Sequence, residues 1–182
     1  AGTPSNITQT ADAGDCGAVV TWTAPTASDN CTLDTFTSTH DSGDSFPVGT
    51  TTVTYTATDD CGNSTSTTFD VTITDDEAPV IAGMPTNLSQ SNDAGNCSAV
   101  VTWTAPTTTD NCSTTLTSTH NPGDTFAVGM TTVTYTSTDA SNNVTTASFT
   151  VTVTDDEDPA ISGTPSDFSV SAEAGQCSAA VS

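Results

Sequence analysis

The feature that most limits what this chain can become is its self-repetition. AGTPSNITQTADAGDCGAVVTWTAPTASDNC starts at Ala1, AGMPTNLSQSNDAGNCSAVVTWTAPTTTDNC starts at Ala82, and SGTPSDFSVSAEAGQCSAAVS runs from Ser162 to Ser182. Pro4, Pro85 and Pro165 mark a period of 81 and then 80 residues. Trp22 returns as Trp103, Tyr55 as Tyr135, and TDDE at 74–77 as TDDE at 154–157. A unit of this length exceeds a solenoid repeat and is enough for a small sandwich with its own core. The expected organisation is repeat one over 1–76, repeat two over 77–156, and the first strands of a third copy over 157–182.

Within repeat one the periodicity is two. Ala18, Val20, Trp22 and Ala24 alternate with Val19, Thr21 and Thr23; Val53, Tyr55 and Ala57 alternate with Thr52, Thr54 and Thr56; Phe69, Val71 and Ile73 alternate with Asp70, Thr72 and Thr74. One face is apolar and the other is coated with Thr, which is β-branched and favourable on a pleated surface. Turn signals at 13–14, 41–44, 48–49 and 61–63 punctuate the runs. Seven or so such strands predict an all-β chain of tandem immunoglobulin-like β-sandwich domains arranged end to end, with Trp22 and Tyr55 as core anchors.

Composition narrows the function. The chain has no Lys or Arg against 22 Asp and Glu, a formal charge of −22. It cannot assemble the basic footprint that nucleic acid or an anionic membrane surface requires. No run approaches the roughly 18 apolar residues of a membrane-spanning helix, so membrane insertion is not expected. Six cysteines in a polar, helix-poor chain point to disulfides and an extracellular, secreted setting. No Ser-His-Asp or Cys-His set and no phosphate loop stands out, and His40 and His120 occupy one repeated turn position, so the chain is read as non-catalytic.

TWTAPTASDNC, SGDSFPVGTTTVTYTATDDCGN and FDVTITDDEAPVI resemble the hyalin repeat (HYR) domain, and the second copy matches through NPGDTFAVGMTTVTYTSTD and FTVTVTDDEDP. The resemblance implies an immunoglobulin-related sandwich of extracellular matrix, adhesion and bacterial surface proteins, with no catalytic residues to carry over. Copy two departs from the pattern where the turn Gly becomes Asn142, a residue that tolerates positive φ.

Repeat two holds only Cys97 and Cys112, so an internal disulfide there must join them. Comparison between copies then favours Cys16–Cys31 in repeat one, a loop of about 15 residues whose closure contributes on the order of 3 kcal/mol. Cys31–Cys61 is the alternative if residues 25–30 do not double back. Otherwise Cys61 is left as a buried thiol or an intermolecular link, and Cys177 corresponds to Cys16.

In an immunoglobulin-like sandwich the chain enters at one end and leaves at the other. Asp75, Asp76 and Glu77 of the linker therefore arrive where Asp110, Asn111 and Asp139 of repeat two are expected. Hard oxygen ligands converging without a protein cation suit Ca²⁺, and these six residues form the candidate inter-repeat site. The leading reading is a structural repeat protein of a surface stalk, matrix or filament, with neighbouring repeats or copies of itself as partners. The alternatives are an adhesin spacer or binding module recognising protein or glycan, and a filament subunit polymerising by strand complementation.

Overall fold

The computed structural model describes residues 2–163 and 166–179; Ala1, Thr164, Pro165 and residues 180–182 lie outside them. Repeat one contributes β1 (Ile7–Thr10), β2 (Gly17–Val19), β3 (Leu33–Ser38), β4 (Ser45–Pro47), β5 (Gly49–Asp59) and β6 (Ser64–Thr74). The next strands are β7 (Val80–Ala82), β8 (Leu88–Ser91), β9 (Ser98–Val100) and β10 (Thr107–Thr109). Repeat two is completed by β11 (Thr114–Ser118), β12 (Thr125–Ala127), β13 (Gly129–Asp139) and β14 (Val144–Thr154). The described residues are all-β, in two sandwiches of one design.

Each sandwich is built on a long hairpin. β5 pairs antiparallel with β6 from Gly49↔Ile73 to Thr58↔Ser64, and β13 with β14 likewise. Gly62 at φ 84° turns the first hairpin, and Asn142 at φ 71° takes the same left-handed place in the second. The hairpin lies in a four-stranded sheet ordered β1-β6-β5-β3, matched by β8-β14-β13-β11. β1 runs parallel to β6, as β8 does to β14. A two-stranded ribbon, β2–β4 or β9–β12, covers the sheet.

The core lies between sheet and ribbon. Val53, Tyr55, Phe69, Val71 and Ile73 come from the sheet and meet Ala18, Val20 and Phe46 from the opposite layer. Val133, Tyr135, Phe149, Val151 and Val153 meet Ala99, Val101 and Phe126 in the second copy. The Thr face stays outside, where Thr50–Thr72 and Thr56–Ser66 hydroxyl pairs cross the strands. Trp22 stands edge-on to Phe46 and Phe69 and donates its Nε1–H to the Tyr55 hydroxyl at 2.7 Å. Trp103 repeats this with Phe126, Phe149 and Tyr135, at 2.8 Å. The tryptophan positions are equivalent, and each repeat has its own core.

Two strand expectations change. The predicted strand over 18–24 keeps ladder pairing only through Val19; Val20 then bonds to Gly43 and Asp44, and Trp22 N–H to Ser42 Oγ. The buried position shifts from Ala24 to Pro25, where proline supplies no N–H for a ladder. Among the described residues after Thr154 there is no strand, where the first strands of a third copy were expected. β1 and β8 each lean on the last strand of their own repeat, and the described residues after Thr154 include no counterpart of β6 or β14.

Phe69→Ala should destabilise repeat one by about 3–5 kcal/mol through transfer and cavity costs. Tyr55→Phe, which removes only the acceptor for Trp22, should cost about 1 kcal/mol. Urea unfolding followed by tryptophan fluorescence reads both; equal effects would contradict this packing.

Candidate functional site

The junction is built from three segments. Residues 75–79 leave β6 and become β7, which pairs antiparallel with β10 (Val80↔Thr109, Ala82↔Thr107), so the linker is stitched into repeat two. The turn between β1 and β2 comes from repeat one, and its Gly14 N–H donates to Glu77 Oε2 at 3.3 Å. The loop after β10 comes from repeat two. Its Asn111 Nδ2 donates to the Asp15 carbonyl at 3.0 Å and to Asp75 Oδ1 at 3.3 Å. Asn143 Nδ2 reaches in from the β13–β14 turn, donating to the Asp75 carbonyl at 3.1 Å and to Asp139 Oδ2 at 2.7 Å.

A disulfide closes this junction, and it corrects the expected pairing. Cys16 is bonded to Cys112, 96 positions away, with the Cα atoms 4.9 Å apart. Neither Cys16–Cys31 nor Cys97–Cys112 is formed, and Cys31, Cys61, Cys97 and Cys177 are exposed free thiols. The reason is strand length. Cys16 precedes the extended segment beginning at Gly17, and Cys31 follows it. The Cys16 carbonyl accepts from Val48 N–H just before β5, and the Thr32 carbonyl, next to Cys31, accepts from Asp60 N–H just after it. The 11 residues of β5, roughly 35 Å, therefore separate them, whereas a disulfide tolerates no more than about 7 Å between Cα atoms. The loop cysteine of one repeat therefore faces the turn cysteine of its neighbour. Cys61 belongs to neither role; it is exposed, not buried, in the β5–β6 turn.

Of the six residues expected around a cation, the structure brings three together. Asp75 is buried, and Asp75 Oδ2, Asp110 Oδ1 and Asn111 Oδ1 are all buried oxygens without a hydrogen-bond donor. Ligand atoms of Asp75, Asp110 and Cys112 lie within 4.8 Å of one another, although the Cys112 sulfur is spent on Cys16. Two carboxylates that close repel by on the order of 3 kcal/mol at the effective dielectric of a protein surface. Buried acceptors without donors carry a further cost.

The other three do different work. Glu77 clamps the Gly14 turn, and Asp76 is exposed. Asp139 is buried, but both its oxygens are used: Oδ1 accepts from Ser141 and Asn143 N–H, and Oδ2 from Asn143 Nδ2. Burial pushes its carboxyl up, yet those bonds outweigh burial and hold it below the usual carboxylate range. In repeat one, the Asn63 side chain and backbone hold Asp59 low in the same way. Asn143 and the Asp15 carbonyl were not anticipated; a turn present in both copies gave no sign that its amide would bridge to a linker 68 residues upstream.

The HYR domain family matches this chain twice, over residues 2–73 and 74–153. Hyalin of Strongylocentrotus purpuratus is 41% identical over 169 residues, covering 89% of this chain and 14% of that protein. Hyalin of Lytechinus variegatus is 40% identical over 152 residues, covering 81% of this chain and 29% of that protein. The chain thus spans less than a third of either relative. The sushi, von Willebrand factor type A, EGF and pentraxin domain-containing protein 1 of Rattus norvegicus is 35% identical over 77% of this chain, which covers 4% of that protein.

Cys112→Ser should release the junction while leaving both Trp–Tyr bonds in place. Chain entropy for a loop of roughly 100 residues sets an upper bound of about 4.7 kcal/mol on the lost stability. Unchanged urea midpoints together with an unchanged small-angle scattering profile would deny the bond that role. Asn63→Ala should raise the Asp59 pKa towards the ordinary carboxylate value, since the Asn63 side chain is the largest cause of its depression. Since the folded value is depressed, the stability it confers is present above the unfolded pKa and fades as pH falls through the folded one. An NMR titration of Asp59 that did not move would contradict this.

Proposed function

Because the chain belongs to the HYR family, we propose that it is a segment of an extracellular, adhesion-type repeat protein, in which sandwiches joined end to end serve as a non-catalytic scaffold. The observation that carries this reading is the junction. Five linker residues, one strand pairing, cross-repeat amide bonds and a disulfide join the two sandwiches, so the repeats are coupled and not merely tethered. Similarity to two Hyalins supports the extracellular placement, and cystine formation is favoured in that compartment. Neighbouring repeats and other extracellular proteins are the partners this reading assigns.

The scaffold reading includes a cation. Asp75 Oδ2, Asp110 Oδ1 and Asn111 Oδ1 are hard acceptors left without donors, beside a cleft of about 270 Å³ lined by Gly14, Glu77, Val80 and Asp110. With no Lys or Arg in the chain, no ammonium or guanidinium side chain is available to neutralise the pair of carboxylates, and an external cation can do so. Ca²⁺ fits this donor set, taking six to eight oxygens at about 2.3–2.6 Å and completing its shell with water. Bound there, it would tie the linker carboxylate to the repeat-two loop and stiffen the joint.

Thermal melts of the chelated chain against a Ca²⁺ titration test the proposal. Binding only to the folded state adds about 2.7 kcal/mol at a hundredfold excess over Kd, so Tm should rise by several degrees. The rise should vanish in Asp75→Asn/Asp110→Asn, whose uncharged junction no longer needs the ion. A flat Tm and an unchanged scattering profile across the titration would remove Ca²⁺ from the scaffold.

A further inference from the structure

The Cys16–Cys112 bond joins the turn cysteine of one repeat to the loop cysteine of the next, and both half-sites recur unused. Cys97 is the turn cysteine of repeat two, and Cys31 is the loop cysteine of repeat one; both are exposed thiols. We propose that Cys31 and Cys97 are the two open halves of the same inter-repeat staple, each closed by the complementary cysteine of an adjoining HYR repeat. The repeats would then be linked in a covalent ladder, one cystine per junction.

Both half-sites are already shaped like the bonded one. Around Cys16, Asp12 N–H donates to the Gly17 carbonyl at 2.8 Å, Asp15 N–H to the Asp12 carbonyl at 2.9 Å, and Val19 N–H to Asp12 Oδ2 at 3.0 Å. Around Cys97, Asp93 N–H donates to Ser98 at 2.8 Å, Asn96 N–H to Asp93 at 2.9 Å, and Val100 N–H to Asp93 Oδ2 at 3.0 Å. The Cys112 N–H is capped by Asp110 Oδ2 at 3.0 Å, and the Cys31 N–H by Asp29 Oδ1 at 2.8 Å.

The linker supplies an independent indication. Glu77 holds the Gly14 turn at the formed junction, and Glu157 holds the Gly95 turn through both carboxylate oxygens, at 3.0 and 2.9 Å. The chain leaving repeat two is therefore clamped to the turn that bears Cys97, as the chain leaving repeat one is clamped to the turn that bears Cys16. A repeat following that path presents its loop cysteine to Cys97. The Cys177 turn keeps the same backbone bonds, Glu173 N–H to Ser178 and Gln176 N–H to Glu173, so the half-site is present a third time.

Closing each staple takes two thiols and an external disulfide of the glutathione class. The thiols lose two protons and two electrons, one S–S bond forms, and the oxidant is reduced to two thiols. The adjoining repeat can belong to the same polypeptide or to a second copy; its chemistry at the joint is the same.

The test is cystine mapping of the full native protein, alkylated without prior reduction and cut at its acidic residues. Cys31 should be found joined to a turn cysteine of another repeat and Cys97 to a loop cysteine of another repeat, both links being lost on reduction. A non-reducing gel separates the two sources: monomers place the adjoining repeat in the same polypeptide, and multimers that collapse on reduction place it in a second copy. Cys61→Ser should leave the map unchanged. Alkylated Cys31 or Cys97, or a Cys31–Cys61 bond, would overturn the ladder while Cys16–Cys112 still stood. The inference rests on the end-to-end scaffold reading, and a Cys16–Cys31 or Cys97–Cys112 bond would bring down both.

Discussion

The parallel pairing of the short first strand and the long last strand of each repeat governs everything else in this molecule. Because β1 runs alongside β6 in the same direction, and β8 alongside β14, the chain enters each sandwich at one end and leaves it at the other. An antiparallel arrangement would return the chain to its starting end and fold the repeats back on each other. Parallel pairing is usually achieved through a long crossover, and here the entire sandwich serves as that crossover. The exit at Thr74 consequently lies beside the β1–β2 turn, where Ala11 N–H bonds to the Thr74 carbonyl at 2.8 Å. From that single adjacency follow the Glu77 clamp, the position of Asp75 and the meeting of Cys16 with Cys112.

Alternation was legible because it is local. A period of two assigns Val53, Tyr55, Phe69, Val71 and Ile73 to one face before any partner is known, and these are the residues that fill the core. The internal repeat made the domain number legible for a similar reason, since Trp22 and Trp103 must occupy equivalent positions if each unit has its own core. Substitution of Asn142 for the turn glycine was readable too, because positive φ is a property of one residue. The direction of β1 relative to β6 was not readable from the hydrophobic pattern, which is the same for parallel and antiparallel neighbours; it entered only through the immunoglobulin-like fold, whose chain enters at one end and leaves at the other. The cysteine pairing depended on that direction, and copy comparison by itself steered it towards bonds within a repeat.

The acidic junction shows the same division. That Asp75, Asp110 and Asn111 would converge followed from knowing which ends of two sandwiches meet. That Asp139 would instead spend both oxygens on its own turn did not, since the identical Asp59 turn is complete within repeat one and needs no junction. A turn that satisfies itself has no valence left for a neighbour. Asn143 is where self-sufficiency stops, because one of its amide protons serves Asp139 and the other the linker carbonyl of Asp75. Its counterpart Asn63 makes the same internal bonds to Asp59, so each repeat carries the residue needed to receive a preceding linker.

A chain of charge −22 gains nothing from bringing its carboxylates together unless something opposes their repulsion. Screening at physiological ionic strength acts over about 8 Å and does little for a buried pair at contact distance. Covalent closure acts differently. It does not neutralise Asp75 and Asp110, but it prevents their repulsion from opening the joint, since Cys112 is two residues from Asp110 and is tied to the turn that holds the linker. A cation would remove the repulsion itself. The staple and the ion would therefore not be redundant: one limits how far the joint can part, and the other sets how strongly its faces attract.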